Sequence, residues 1–346
     1  MQCNVSGACL VFLLAFGAHA AVAKAQPFYE GRQINLIVGG GAGGGYDAYA
    51  RLLARHWPRF IPGTPGMVVQ NMPAAGSLVA MNTLANSAPR DGTTIAAVQT
   101  HIGVEPIMGV TGSLDNVKFD SRQMSWIGSA AKEYPLIVLW HTSPFNSFKD
   151  LLVRESTVGS RGPATSDSDY ARIMNELMGT KFRVIEGYKD NPEMIAASER
   201  GEIMGRAGWF LGSLFSTQRQ VYEQGKWKIL AQVAFDKHPE LPNVPIVTEL
   251  LADETKRRQL EFSLAWLPMG RPYVAPPGVP ADRVEILRAS FLEALASPEL
   301  QGEAKRMGIE VSPMAGRDIQ ALLERLYATP KDTVDRVRTI MLSTGK

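Results

Sequence analysis

The feature that most constrains the fold is a glycine-rich segment between an apolar run and an amphipathic one. Ile34 to Val38 is apolar apart from Asn35, which is typical of a strand buried on both faces. Six of the seven residues 39–45 are glycine, and apolar side chains then recur at helical spacing from Tyr49 to Trp57. Because glycine lets the backbone approach a ligand closely, this strand, loop and helix predict an exposed main chain at a helix start.

The same alternation of strands and helices continues along the chain, so we expect an α/β fold. A chain of 346 residues is too long for one compact core, and the pattern predicts two α/β lobes with two crossings between them. We expect Ser77 to cap the second helix, and Gly179 to end the helix that begins near Ala171. Further strands are predicted at 67–70, 93–98, 136–140, 157–159, 182–185, 228–234 and 272–275, with later helices starting at Pro192, Pro280, Arg317 and Pro330.

The N-terminal residues indicate export. Ala8 to Phe16 is apolar but too short to span a membrane, and small-residue cleavage patterns follow at 18–20 and 23–25. We therefore expect a signal peptide over 1–25 and a periplasmic mature protein. Both cysteines, Cys3 and Cys9, fall in that segment, so no disulfide, thiolate nucleophile or cysteine zinc site is expected.

Charge and hydropathy limit the partners. The full sequence has a formal net charge of +2 and no basic run, which argues against nucleic acid. No stretch after the signal segment is long and apolar enough for a transmembrane helix. The four histidines beyond it lack zinc-ligand spacing, and no nucleophile motif occurs. We predict no metal, no cofactor and no catalytic residue; an exported hydrolase or isomerase is the alternative.

The glycine loop has competing interpretations. Gly39, Gly41 and Gly44 satisfy G-x-G-x-x-G, but the second strand ends in Gln70 and Asn71, without the acid that a dinucleotide ribose requires. The Lys and Ser/Thr of a phosphate-binding P-loop are also missing. A cradle for a carboxylate, built from unpaired helix N–H groups, is the favoured hypothesis. A turn that serves only close packing stays open.

Several side chains near the predicted cleft also have two interpretations. Asp47 can stabilise the helix start or orient groups around a bound carboxylate. Arg161 and Arg206 can each offer a bidentate fork to a carboxylate or make ordinary ion pairs. Tyr46 can stack on a flat ligand or simply pack. His101 follows the third strand and faces the predicted cleft, although a lone histidine is more often structural; Trp209 is expected in the core or the cleft wall.

Four segments carry a resemblance to a known family. They are IVGGGAGGGYDAYARLLARH, VVQNMPAAGS, KHPELPNVPIVTEL and YVAPPGVPADRVEILRASFLEAL, in this order along the chain. Together they resemble the Bug-type, or TctC-type, extracytoplasmic receptors of tripartite tricarboxylate transporters. The resemblance covers essentially the whole chain after the signal segment.

The resemblance implies a type II periplasmic-binding-protein fold, with mainly parallel sheets in two lobes and the ligand in the cleft between them. We assign 26–127 and 265–346 to lobe 1 and 128–264 to lobe 2. It also implies a monomeric receptor that binds a small organic acid (a di- or tricarboxylate, an aromatic acid or an acidic amino acid) and delivers it to membrane permease subunits. A sensory receptor for a membrane signalling partner is the alternative.

Ligand-binding residues follow from the loop analysis and from matching the family's motifs to this chain. The chain departs from those motifs: Gly39-Gly40 replaces Pro-Phe, Tyr46 replaces a threonine, Pro163 removes an N–H from the second-lobe loop, and the usual histidine is missing near 168–170. The predicted set is Gly41, Ala42, Gly43, Gly44, Gly45, Tyr46, Asp47, Ala75, Gly76, His101, Ser160, Arg161, Gly162, Thr165, Tyr188 and Arg206.

Overall fold

The fold consists of two β-sheets covered by helices. It was obtained as a computed structural model that describes residues 26–109, 114–162 and 165–343. The predicted signal peptide 1–25, with both cysteines, lies outside the described residues, and so does the Pro163-Ala164 dipeptide of the second-lobe loop.

The first sheet has six strands in the order β11-β4-β10-β3-β1-β2. Its central strands are buried because apolar side chains fill both faces, as predicted for the run before the glycine loop. The strands are β1 Gln33–Val38, β2 Gly66–Asn71, β3 Thr94–Ala97, β4 Ser125–Ser129, β10 Pro272–Ala275 and β11 Met314–Ala315.

The second sheet has five strands in the order β7-β6-β8-β5-β9. It is formed by the middle of the chain, between the two crossings that link it to the first sheet. The strands are β5 Pro135–Trp140, β6 Ser156–Ser160, β7 Phe182–Glu186, β8 Gly205–Phe210 and β9 Trp227–Gln232.

Both sheets are mixed, although most strands in each sheet run in the same direction, as expected. Strand β1 pairs parallel with β2 and β3, and β6 pairs parallel with β7 and β8. Strands β10 and β5 are antiparallel to both of their neighbours. The parallel pairs belong to β-α-β units, whereas β5 and β10 enter their sheets directly from the other lobe, so no crossover helix sets their direction.

Twelve α-helices lie among the described residues. The helix ending at Gly179 continues α5 as a single π-helical turn over Met174–Met178, and Gly179 has the expected positive φ of 78°. The helices are α1 Gly45–His56, α2 Leu78–Asn86, α3 Glu105–Met108, α4 Asp150–Val153, α5 Ser166–Ile173, α6 Asn191–Glu199, α7 Leu211–Glu223, α8 Glu254–Leu264, α9 Ala281–Ala296, α10 Pro298–Arg306, α11 Gly316–Tyr327 and α12 Lys331–Leu342.

Sequence analysis missed β4, β8, β11, α3, α4, α7, α8 and α10. Strand β8 reads GRAGWF, so its two glycines and its arginine hide the apolar pattern of a strand. Helix α8 shows no clear apolar pattern, because only its C-terminal end, including Leu260 and Phe262, is buried. The missed strand β8 is the more important error, since it carries part of the candidate site.

Aromatic clusters hold each lobe together. In the first, Trp57 packs edge-on against Tyr273 and Phe291, and its indole N–H donates to the Ser290 hydroxyl at 2.9 Å. In the second, Trp140 and Trp209 both pack edge-on against Trp227. Fixed by these side chains, the two sheets give rigid walls to the space between them.

The C-terminal helix connects the lobes. Helix α12 follows elements of the first sheet but packs against α5 and α8, and it also contacts α3. The assignment of lobe limits stays a prediction; α12 falls in the segment assigned to lobe 1 and packs on helices from the segment assigned to lobe 2. As a result, a residue of α12 reaches the candidate site.

Candidate functional site

A cavity of about 530 Å³ lies between the two sheets. From the side of the first sheet it is lined by Gly40, Gly41, Gly44, Gly45, Tyr46, Ala75, Gly76, Gln99, Thr100, His101, Trp266, Leu267 and Arg271. The other side is lined by Arg161, Thr165, Ser166, Asp169, Tyr170, Asn191, Arg206, Trp209, Phe210, Ser213 and, from α12, Met341. Its size is that of a site for a small molecule.

The glycine loop opens onto this cavity, although its amides are not all free. Helix α1 begins at Gly45 and has no side-chain cap, and the glycines from Gly41 onward are exposed rather than packed against their own lobe. The Gly43 N–H, however, donates to the Asp47 carboxylate at 2.8 Å, and the Gly44 N–H to the Gly41 carbonyl at 3.2 Å. Part of the predicted cradle therefore shapes the loop, and the open helix start remains available to an anion.

Asp47 lies behind the loop and does not line the cavity. It is 3% exposed and occupies the first turn of α1, with Gly44 as the capping residue. Its carboxylate accepts hydrogen bonds from Gly43, from Arg51 Nε at 2.9 Å and from Asn71 Nδ2 at 3.0 Å. Burial alone would raise the pKa of Asp47, but these hydrogen bonds together lower it. Asp47 therefore holds the loop in shape, and the ligand-orienting interpretation loses its geometric basis.

Ser77, at the start of α2, forms a hydrogen bond to the same loop. It stands at the N-cap position of α2 with a φ of 76°, but its side chain makes no cap, contrary to the sequence prediction. The hydroxyl instead donates to the Gly39 carbonyl at 2.7 Å and accepts the Gln99 N–H at 3.0 Å. Ser77 thus ties the glycine loop to the segment that brings His101 to the cavity.

Substitution of Ser77 by alanine is expected to destabilise the protein by roughly 1–2 kcal/mol, because two buried hydrogen bonds are lost. Urea unfolding of S77A and of the control S87A measures this; Ser87 is exposed at the end of the same helix. A change of less than about 0.5 kcal/mol in S77A, the range of ordinary surface variants, would contradict the role of Ser77 as a tie.

Arg271 places a guanidinium on the first-lobe wall. The side chain is almost fully buried, and its Nη2 lies 2.5 Å from Glu133 Oε1. The guanidinium stacks on the Tyr46 ring at 4.3 Å, and the Tyr46 hydroxyl is held in turn by Thr100 at 2.9 Å. Tyr46 therefore supports Arg271 as well as lining the cavity, and burial raises the pKa of its hydroxyl.

One nitrogen of Arg271 remains unsatisfied. Its buried Nε has no hydrogen-bond partner in the described parts of the chain. The pKa of the partner Glu133 is raised to about 7 by the net effect of its surroundings. Burial is the largest cause, Arg271 lowers the pKa and Glu310 raises it. Sequence analysis missed Arg271 because a single arginine before a strand carries no motif.

The opposite wall carries two more guanidiniums, both organised by one carboxylate. Asp167 is fully buried, and it accepts from Arg161 Nε at 3.0 Å and from Arg206 Nε at 3.1 Å. Arg206 stacks on Trp209 at 4.6 Å, while its buried Nη1 has no partner among described groups. These arginines therefore make ion pairs and also line the cavity, and their binding of a ligand carboxylate stays a prediction.

The second-lobe loop is shaped by hydroxyl groups. Ser160 Oγ donates to the Gly162 carbonyl at 3.2 Å and accepts the Gly162 N–H at 3.0 Å. Thr165 Oγ1 donates to the same carbonyl at 2.7 Å, and so does Ser168 Oγ at 2.8 Å. Ser160 and Gly162 form the buried frame, whereas Thr165 lines the cavity at the start of α5, which has no side-chain cap.

His101 and Asp169 face the cavity from opposite sides. His101 Nε2 and Asp169 Oδ1 are buried and have no hydrogen-bond partner in the described segments. Burial lowers the pKa of His101, and Glu105 opposes this, so the imidazole is neutral at neutral pH. Tyr188, in contrast, packs beside Ile203 and does not line the cavity.

The structure thus brings ten of the sixteen predicted ligand residues to the cavity. They are Gly41, Gly44, Gly45, Tyr46, Ala75, Gly76, His101, Arg161, Thr165 and Arg206. Among the described residues, the predicted ones that do not line it are Ala42, Gly43, Asp47, Ser160, Gly162 and Tyr188. Whether any of these residues binds a ligand stays a prediction.

A two-lobed α/β frame with a charged cavity between its sheets defines a solute-binding protein. Within 26–109, 114–162 and 165–343, no group of three or more His, Cys, Asp or Glu side chains could hold a metal. In those same ranges, no helix has the length and apolar character needed to cross a membrane.

The chain belongs to the tripartite tricarboxylate transporter family of receptors, TctC, whose family model matches residues 62–341. This confirms the resemblance, and because the family consists of receptors, it also confirms a binding protein rather than an enzyme. A relative, the "UPF0065 protein in tcbD-tcbE intergenic region" of Pseudomonas sp., is 26% identical over 86% of this chain and 84% of its own length.

Solved structures confirm the fold. A TctC solute binding protein from Polaromonas has a TM-score of 0.68 and 21% identity, covering 89% of this chain and 99% of its own. An R. palustris protein with adipate has a TM-score of 0.65 and 19% identity, covering 89% of this chain and 97% of its own. At these identities the likeness establishes the architecture alone.

Proposed function

We propose that the protein is a periplasmic receptor that binds a small organic acid with two or more carboxylates between its lobes. The observation that carries this proposal is the presence of guanidinium groups on both walls of one cavity. Arg271 lies on one wall and Arg161 and Arg206 on the other. A guanidinium is the side chain best suited to a carboxylate, because its N–H groups match the two oxygens.

Unsatisfied hydrogen-bond donors strengthen the argument. Arg206 Nη1 and Arg271 Nε are buried and have no hydrogen-bond partner among the described residues, and a buried donor left unpaired costs roughly 1–3 kcal/mol. A ligand oxygen at each position removes that cost. Because the two donors stand on opposite walls, one carboxylate at each end of a short molecule satisfies both.

Charge balance also favours an anion. Three guanidiniums line the cavity, and the carboxylates paired with them are Asp167 and Glu133. The uncapped starts of α1 and α5 add partial positive charge on the two sides. Trp209, Phe210 and Trp266 provide apolar surface between the charged groups, suited to the carbon skeleton of the acid.

Thermal unfolding with a panel of acids tests the proposal. Succinate, adipate, citrate, glutamate and phthalate are compared with benzoate and with adipamide, the uncharged diamide matched to adipate. At a hundred times its Kd, a bound diacid stabilises the folded protein by about 2.7 kcal/mol, seen as a higher Tm. We expect a shift with at least one polycarboxylate, less with benzoate and none with adipamide.

The absence of a shift with every acid would reject the proposal. An equal shift with adipate and adipamide would show that charge is not what the cavity recognises. Calorimetric titration of the best acid then gives its Kd and stoichiometry, and a value of one ligand per chain is expected for a single cavity.

Transport is the role that the family supports for such a receptor. We infer that the loaded protein delivers its acid to membrane permease subunits after export by the 1–25 signal peptide, and that it acts as a monomer. The R. palustris neighbour carries adipate, which makes a dicarboxylate the first ligand to test. Lost uptake of the acid in a deletion strain is the expected result; lost signalling with normal uptake would instead favour a sensory receptor.

A further inference from the structure

We propose that Asp169 binds the acid as a protonated carboxyl group, whose O–H donates a hydrogen bond to a carboxylate of the ligand. This inference rests on the proposed function, because it requires an anionic ligand in the cavity. It assigns a ligand-binding role to a residue that no motif in the sequence indicated. Binding is then coupled to retention of one proton by the protein.

The position of Asp169 is the first observation. It lies on the early part of α5, lines the cavity and is 8% exposed. Its Oδ1 is buried without a hydrogen-bond partner in the described chain. A polar atom left unpaired at the wall of a cavity indicates that a ligand group completes its hydrogen bonding.

The nearby arginines form their ion pairs with other acids, although Arg172 Nε and Arg206 Nη1 have no hydrogen-bond partner among the described groups. Arg161 and Arg206 both pair with Asp167, which precedes Asp169 on the same helix. Arg172 pairs with Glu186 at 2.6 Å and donates to the Met341 carbonyl at 3.2 Å. Ionised Asp169 would therefore be a buried carboxylate without a direct cationic partner in this part of the molecule.

Burial and the charged groups around Asp169 together disfavour its ionisation. The net effect of its surroundings raises the pKa of Asp169 to about 8. Burial is the largest cause; Arg172 lowers the pKa, and Asp167, Glu105 and Glu186 each raise it. The further charged or titratable groups that line the cavity with it are His101, Arg161, Arg206, Arg271, Tyr46 and Tyr170. At neutral pH the protonated form predominates, so the group offers a donor.

Ligand chemistry then selects this form. An ionised Asp169 facing a ligand carboxylate would repel it. A protonated Asp169 instead donates its O–H to the carboxylate in an O–H···O⁻ hydrogen bond. No covalent bond forms or breaks, and the proton remains on Asp169. The ligand raises the pKa of Asp169 further, because a second negative charge makes deprotonation harder.

Calorimetric titration with adipate tests the inference, comparing wild type, D169N and the control E199Q from about pH 6.5 to about pH 9.5. Simple carboxylic acids ionise well below this window, so the ligand keeps a constant charge. Wild-type and E199Q affinity should fall roughly tenfold per pH unit above the pKa of Asp169. Asparagine keeps an N–H donor but cannot titrate, so D169N should bind without this fall.

The variants are matched to separate this effect from others. Glu133 also titrates near pH 7, but it is present in every variant, so the difference between curves isolates Asp169. Glu199 is exposed on α6, and E199Q removes the same single charge from the surface. Parallel curves for wild type and D169N overturn the inference alone. If wild type binds no acid of the panel at any pH, the proposed function is overturned, and the inference falls with it.

A measurement without ligand checks the same claim. In the free protein, a raised folded-state pKa means that Asp169 favours folding at low pH and loses that contribution as pH rises from about 4 towards 8. D169N should therefore gain Tm relative to wild type between about pH 5 and pH 8. An affinity for glutamate that rises with pH would identify an ionised Asp169 bound to an ammonium group and would overturn the inference.

Discussion

Removal of the Arg271 guanidinium together with its partner Glu133 is expected to weaken adipate binding between roughly 30-fold and several thousand-fold. The double variant R271M/E133Q deletes a buried ion pair as a unit, so neither partner is left as an unpaired buried charge. The loss in affinity corresponds to about 2–5 kcal/mol, the usual effect of removing one member of a desolvated charge contact. Calorimetric titration measures the change in Kd.

Two controls accompany this variant. E133Q alone keeps the guanidinium and its stacking on Tyr46, and we expect it to bind within about tenfold of wild type. R183M removes an arginine of β7 whose ion pair with Glu155 is exposed to solvent, unlike the buried Arg271–Glu133 pair. This variant should bind adipate as wild type does. If R271M/E133Q unfolds cooperatively and retains wild-type affinity, Arg271 does not contact the ligand.

Replacement of Gly208 by alanine is expected to destabilise the protein by roughly 3 kcal/mol or more. Gly208 lies in β8 with a φ of 108°, a conformation that L side chains rarely adopt, and an added Cβ would overlap the carbonyl oxygen of Ser166. The overlap forces the start of α5 away from the sheet. Since α5 carries Asp169, adipate binding should weaken as well.

Urea unfolding of G208A, compared with G212A, measures this effect. Gly212 lies in α7, where an added Cβ would meet nothing within 4 Å, so alanine should be neutral or stabilise by up to about 1 kcal/mol. If G208A is as stable as G212A, the close approach of α5 to β8 is not a tight constraint. A stable G208A with lost binding would localise the change to the cavity.

Local patterns in the sequence predicted the first strand, the glycine loop and α1 because neighbouring residues determine each of them. A largely apolar segment, a run of glycines and a helical repeat are patterns among residues close together in the chain. The prediction failed at β8, where packing decides the structure. Gly205 and Gly208 are there because β5 and α5 approach too closely for a side chain, which no local pattern reveals.

The same distinction applies to the site. Gly41, Gly45 and Tyr46 were found because they belong to a recognisable loop. Arg271 was missed because it is an isolated charged residue in its own segment, and Asp169 because it lies among other polar residues of the chain. Their common location depends on how the lobes meet. Asp47 was over-interpreted, since its hydrogen bonds to Gly43 and Asn71 appear only when the loop is folded.

The sequence by itself determined the α/β class, the two-lobed organisation and the family, because these depend on periodicity, glycine placement and motif order. Only the tertiary structure decided which charges meet. Arg161 and Arg206 converge on Asp167 from 6 and 39 positions away along the chain. Arg271, which follows the second crossing between the lobes, lies on the opposite wall of the same cavity. Electrostatic recognition depends on the distances between charged groups and on their burial, and the order of residues in the chain determines neither directly.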